Sequence, residues 1–263
     1  MEALAYLLLG LIQGLTEFLP VSSSGHLTLG QSLLGLREED LTFTVLVHAA
    51  TALSTVVVFR KDIFALTTSL LAPGEQGHPG RTYVGMLLLS AIPAAVIGLG
   101  FKDDIEALAS PRFVGAMLLV TGGVLFLSQR AKGGQRPIRA LRALGIGVAQ
   151  ALAILPGISR SGSTIGAALI LGVSREEAAK FSFLMALIPI GGATLLTLKE
   201  LMEQPATGEV ATVPWMGYAL GTAAAFASGW AACTWMIRLV KRSNLAGFGV
   251  YCFVVGSLAL IFG

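Results

Sequence analysis

The chain has 263 residues, of which 54% are hydrophobic and 13% charged, with a formal net charge of +3 and a mean hydropathy of +0.78. A water-soluble domain carries about a quarter charged residues, so this composition excludes an ordinary soluble enzyme and gives no reason to expect a nucleic-acid partner. Cys233 and Cys252 both fall inside apolar segments, which excludes a disulfide framework or a cysteine metal site.

Ten apolar segments are read in chain order, near 4–19, 24–36, 41–60, 83–101 and 112–128 in the first half and near 141–155, 163–172, 178–199, 213–237 and 245–262 in the second. The first, Ala3 to Leu19, has no basic start or small-residue exit and holds Gln13 and Glu17, so it is expected to remain in the mature protein. A full crossing needs about 20 apolar residues. The third to fifth segments of each half approach that length. The first two of each half are shorter and joined by a polar turn, which predicts a re-entrant helix–turn–helix, since irregular backbone at membrane depth survives only inside protein or beside water. Pro73 to Gly80 reads as a turn, His78 as a solvated loop residue, and His48 as packing within an apolar span.

The two polar turns repeat one another. Ser22-Ser23-Ser24-Gly25-His26 recurs 137 residues later as Ser159-Arg160-Ser161-Gly162-Ser163, and Gln13 recurs as Gln150 at the same offset. Shifted by one, Arg37-Glu38-Glu39 aligns with Arg175-Glu176-Glu177. One re-entrant pair plus three crossings is an odd number of passes, so the halves are expected to be inverted: repeat one 1–128, a basic linker 129–140, repeat two 141–263, together one all-α polytopic membrane domain of six transmembrane helices and two re-entrant pairs. The loops near 60–82, 129–142, 172–180 and 238–243 then share a side with thirteen Lys and Arg, against four (Arg37, Lys102, Arg112, Lys199) opposite, Arg160 aside. That excess places the thirteen in the cytoplasm and both termini outside.

In the first turn, Gln13 and Glu17 share a helix face at i,i+4 spacing, and Pro20 ends that helix. An intramembrane carboxylate requires a partner, a metal or water. His26 lies three residues from Ser23, a spacing that allows a base-activated hydroxyl nucleophile. The second turn sets Arg160, a permanent charge with a planar fork, among Ser159, Ser161, Ser163 and Thr164 at a helix start. That is a cradle for phosphate oxygens, though Arg160 paired with Glu17 as a bridge is the structural alternative. Inverted, the two tips are expected to meet near the midplane, an acid/base set facing an anion cradle, which points to phosphoryl chemistry. A transporter or flippase of prenyl-phosphate lipids shares that architecture.

The runs Gln13 to His26 and Pro156 to Thr164 resemble the two signatures of the undecaprenyl-diphosphatase family, bacitracin-resistance type, in the right order and over nearly the whole chain. The resemblance implies hydrolysis of undecaprenyl diphosphate in the bacterial inner membrane, at a site open to the periplasm, with a divalent metal, Mg2+ or Ca2+. It implies Glu17 as the essential acid, with Gln13 at a more variable first position where other members carry a second carboxylate. Ser23, His26, Arg160 and Thr164 are the remaining implied site residues, with Ser24, Ser159, Ser161 and Ser163 beside them. Ser23 attacking with His26 as base, attack by His26 itself, and attack by water all stay open. Membrane lipid is the other partner, a homodimer is compatible with the resemblance, and bacitracin is linked only through the shared substrate.

Overall fold

Serine and proline mark several of the helix ends in the computed structural model, which describes residues 2–34, 40–101, 104–105, 107–131, 133–203, 214–242 and 245–263. Among these residues the chain is all-helical. The helices of the first half are α1 (Glu2–Phe18), α2 (Ser23–Leu33), α3 (Leu41–Val58), α4 (Arg60–Leu71), α5 (His78–Gly100) and α6 (Pro111–Gln129). Those of the second are α7 (Ala140–Leu152), α8 (Arg160–Ile170), α9 (Arg175–Glu203), α10 (Trp215–Arg242) and α11 (Ala246–Phe262). Arg37, Glu38, Glu39, Lys102 and Lys132, used above for the repeat and the charge count, lie outside the described residues.

Local chemistry explains where these helices start. Ser22 caps α2 by accepting from the Gly25 N–H (3.3 Å), and Ser159 caps α8 by accepting from the Gly162 N–H (3.1 Å), so the two turns use the same device three residues apart. Asp40 caps α3 through Phe43 N, and Ser110 caps α6, whose first residue is Pro111.

Among the described residues, four helices are long and apolar enough to cross a membrane, α5, α6, α9 and α10, and α3 with α4 makes a fifth if that bent pair counts as one span. The chain is therefore a multi-pass membrane protein. α11, at 17 residues, is apolar but shorter. Two sequence readings differ from the structure. Residues 60–71, expected as loop, form α4, bent 77° from α3. Its apolar residues (Phe64, Leu70, Leu71) stay exposed and its charged end is fixed by an ion pair between Asp62 and Lys180 of α9. The charges in Arg60-Lys61-Asp62 hid the helix from a hydropathy reading. His78, expected in a loop, is the first residue of α5, and Gly74–Gly77 before it is a 3-10 turn.

α1 packs along α10, and α7, at the same place in the second half, packs along α5; α6 packs along α11. α3 lies between α9 and α10. The short α8 is enclosed on most of its surface, from Ser161 to Gly166 and at Ala168 and Leu169. It sits beside the buried 178–186 stretch of α9, with Phe181 and Phe183. That enclosure surrounds the irregular turn before α8 with protein. On another side Asp40 Oδ2 accepts from Tyr6 OH (2.9 Å) and Tyr218 OH (2.7 Å), tying α1, α3 and α10 together.

The α1–α10 contact is a backbone approach made possible by glycine. A Cβ on Gly10 would lie 2.0 Å from the Gly221 carbonyl oxygen, with no flexible side chain to yield. Gly10→Ala is expected to destabilise the protein by about 1–3 kcal/mol, seen as a lower melting temperature in detergent. Gly123→Ala on α6, with nothing within 4 Å, is the control and leaves it unchanged.

Candidate active site

The first turn begins where Pro20 stops α1. Val21 N closes onto Leu19 O at 2.8 Å, and Ser22 takes a φ of 68°, the positive-φ conformation that among the described non-glycine residues occurs only here. A non-glycine residue held there costs about 1–3 kcal/mol and persists only where its surroundings over-determine it. The strain turns the chain sharply enough for Ser23, first residue of α2, to face back onto α1. Its hydroxyl donates to Glu17 Oε2 at 2.6 Å, and Gln13 Nε2 donates to the same oxygen at 3.0 Å.

The second turn is pinned from α6. Thr121 Oγ1 donates to Gly157 O and accepts from Ser159 N, both at 3.0 Å. Gly157 has a φ of 95°, and a Cβ there would lie 2.6 Å from Val114 O, so only glycine fits. The turn then meets the first one along a continuous seam. Ser161 Oγ donates to Leu19 O at 3.0 Å, and Arg160 Nη2 donates to Glu17 Oε1 in an ion pair between largely buried groups. The expected meeting of the two tips is present, and the bridge between Arg160 and Glu17 is its centre.

Glu17 therefore has one oxygen on the guanidinium and the other on a serine hydroxyl and an amide. Two nearby polar atoms are buried without a protein partner: Arg160 Nη1, a free donor, and Gln13 Oε1, a free acceptor. Arg160 keeps 17% of its side chain accessible, although Nη1 itself is buried. Ser24 is exposed beside it, its Oγ 3.3 Å from Ser22 Oγ.

The remaining sequence-designated residues do other work. His26 does not reach Ser23. Its Nδ1 lies 2.8 Å from the Ser22 carbonyl, which can only accept, so Nδ1 carries the proton. Nε2 is then an acceptor, and Tyr251 OH donates to it at 2.8 Å while the rings stack at 5.6 Å. The i,i+3 spacing permitted a Ser–His contact, but the ring turns back to the strained carbonyl instead, and Glu17 takes its place as the partner of Ser23. Ser159 Oγ caps α8, and Ser161 Oγ holds Leu19 O. Thr164 Oγ1 is fully buried, donating to Arg160 O (2.8 Å) and lying 2.6 Å from Ser182 Oγ. Buried hydroxyls find partners in the protein, and these three are engaged with the second turn, its helix and Leu19. Ser163 is buried on the same helix.

Comparison with known proteins places the whole chain in a family. The family model described as bacitracin resistance protein BacA matches residues 6–258. This chain belongs to that family. Its relatives include proteins named undecaprenyl-diphosphatase in Christiangramia forsetii (47% identical, covering 100% of this chain and 98% of the relative), Syntrophotalea carbinolica (46%, 98% and 98%) and Bacteroides fragilis (44%, 99% and 98%). The BacA family match spans both turns and every helix that positions them.

Two residues around this cluster escaped the sequence reading. Thr121 and Tyr251 sit in smooth apolar helices, α6 and α11, and their partners are 36 to 225 residues away, a pairing that no local pattern announces. His48, read as packing, donates from Nδ1 to the Thr44 carbonyl one turn back on its own helix, at 2.8 Å. Thr121→Val removes both bonds that hold the second turn. It is expected to cost about 1–3 kcal/mol, measured as a lower melting temperature, and to lower turnover through Arg160 misplacement; a variant as stable as wild type would contradict the pinning role.

Proposed function

We propose that this protein hydrolyses undecaprenyl diphosphate to undecaprenyl phosphate and inorganic phosphate, recycling the lipid carrier for cell-wall polymers. The observation that carries the reading is the contact of the two turns, which sets a hydroxyl on a carboxylate and a guanidinium with one unused N–H group beside both. A transporter needs an anion cradle but has no use for a carboxylate-bound serine. The full-length likeness to proteins named undecaprenyl-diphosphatase supports the same choice.

In the proposed cycle the diphosphate competes with Glu17 for Arg160. The free Nη1 makes the first contact, and the terminal phosphate then draws the guanidinium toward itself, a bidentate match. The first N–H groups of α2 and α8, without intrahelical partners, add donors for the phosphate oxygens. Losing Arg160 leaves Glu17 free to take the Ser23 proton. Ser23 Oγ attacks the terminal phosphorus, the bond from that phosphorus to the bridging oxygen breaks, and undecaprenyl phosphate departs. Glu17 passes that proton to the departing oxygen. Water then attacks the phosphoserine phosphorus, giving a proton to Glu17; the P–Oγ bond breaks, Ser23 Oγ takes the proton back, and phosphate leaves. The ion pair thus keeps the base silent until an anion arrives.

A divalent cation, Mg2+ or Ca2+, belongs to the proposal. Gln13 Oε1, buried and unpartnered, and the adjoining Glu17 carboxylate fit one side of such a shell, with phosphate oxygens and water completing it. Among the described residues no group of three or more His, Cys, Asp or Glu gathers around a point, so the chain's own oxygens fit a shared rather than an all-protein site. When bound, the cation would offset the charge of the diphosphate.

We assign the site to the periplasmic side of the bacterial inner membrane, with both termini periplasmic. The basic excess near 60–82, 129–142, 172–180 and 238–243 supports this orientation. Inverted repeats, six spans and two re-entrant pairs are our reading of the helix order. The matching serine caps of α2 and α8 and the reciprocal packing of α1 on α10 and α7 on α5 support it.

Phosphate release from undecaprenyl diphosphate by the detergent-solubilised protein, where no gradient exists, tests the reading. Wild type is expected to release phosphate, with loss of activity in chelator. Ser23→Ala and Arg160→Ala are each expected to lower kcat/KM by about 10²-fold or more. Absence of release by wild type would sink the hydrolase reading, and near-normal turnover by Ser23→Ala would sink the serine route.

A further inference from the structure

His26 has both ring nitrogens engaged, yet neither touches Ser23 or Glu17. Nδ1–H holds the carbonyl of Ser22, the strained residue directly before Ser23, and that same carbonyl accepts from the His26 backbone N–H at 3.2 Å. Nε2 is held by Tyr251 OH of α11, a residue 225 positions away, with the rings stacked at an interplanar angle of 11°. The order of donors is fixed along this chain. A carbonyl only accepts, so Nδ1 is protonated, and the remaining lone pair on Nε2 requires a donor, which the phenol supplies.

From this geometry, and resting on the hydrolase reading above, we propose that Tyr251 is a positioning residue of the site. The Ser22 carbonyl fixes the Nδ1–H tautomer of His26, and Tyr251, by donating to Nε2 and stacking on the ring, holds the imidazole in the orientation in which it clamps that carbonyl, so the positive-φ turn aims Ser23 Oγ at Glu17. Tyr251 touches neither the phosphate nor the reacting atoms and acts through two intermediaries. The other tautomer would place a lone pair against the Ser22 carbonyl oxygen, acceptor against acceptor, and the turn would lose the bond that over-determines it. Tyr251 is exposed, in keeping with a fitting at the edge of the site and not a core residue. Its neighbour Cys252 is buried and approaches Pro20 O at 3.7 Å, so α11 grips the same turn at a second point.

The test uses protein labelled with 15N at histidine, in detergent, together with the phosphate-release assay. Wild type is expected to show His26 as a single neutral Nδ1–H tautomer. Tyr251→Phe keeps the ring stack and removes only the hydroxyl. It is expected to shift the His26 Nε2 resonance as that nitrogen loses its donor, and to lower kcat roughly tenfold, with KM and melting temperature unchanged. Tyr251→Gln, which restores a donor, is expected to recover part of kcat. An Nε2–H tautomer in wild type overturns the proposal without any variant. A Tyr251→Phe protein with unchanged kcat overturns it, as does a loss of kcat with an unchanged histidine spectrum. If wild type releases no phosphate, the hydrolase reading fails, while the tautomer measurement still reports on the clamp.

Discussion

A carboxylate and a guanidinium inside a bilayer cannot be left to water, and the contact between Glu17 and Arg160 is the constraint around which this protein is arranged. Each group alone is costly at that depth. Paired, they need the tips of two helix–turn–helix units to touch, and that requires every neighbouring element to bring the turns together. Pro20 stops α1 at the right level, Thr121 pins the second turn from α6, Ser161 laces it to Leu19, and α8 is wrapped in protein so that its start can be irregular. The seam tolerates no bulk: a Cβ on Gly25 would come within 3.2 Å of Gly157 Cα.

The same pair explains how a site of few residues stays under control. An ion pair of this kind is poor evidence of stability for its own sake, because desolvation offsets much of the attraction. In the proposed cycle its value is exchange: a phosphate oxygen would take the place of a carboxylate oxygen on Arg160, and the displaced carboxylate already holds the hydroxyl it would activate. Nη1 of Arg160 and Oε1 of Gln13 are buried with no hydrogen-bond partner. The fold leaves these two atoms without protein partners in a region where Ser159, Ser161 and Thr164 are all engaged.

Much of this was legible in the sequence because it is local or repeated. Gln13 and Glu17 at i,i+4, the helix stop at Pro20, the serine caps and the recurrence of the turn 137 residues on all follow from short-range rules, and the seam follows from them once the two units face each other. Partner choice was less legible. His26 and Ser23 have a spacing that suits a catalytic pair, but the strained Ser22 carbonyl and a tyrosine from the far end of the chain compete for the imidazole and prevail. Helix α4 was missed because its first turn is charged, and its place is set by an ion pair with α9 that hydropathy does not register.

A double-mutant cycle on stability addresses the central contact most directly. Glu17→Gln and Arg160→Gln each remove one charge and leave the other buried, so each is expected to destabilise the detergent-solubilised protein by about 3–5 kcal/mol. The double variant leaves no orphan charge and is expected to lose clearly less than the sum of the two. Strictly additive losses would mean that these groups do not meet, and the two turns would have to be placed apart.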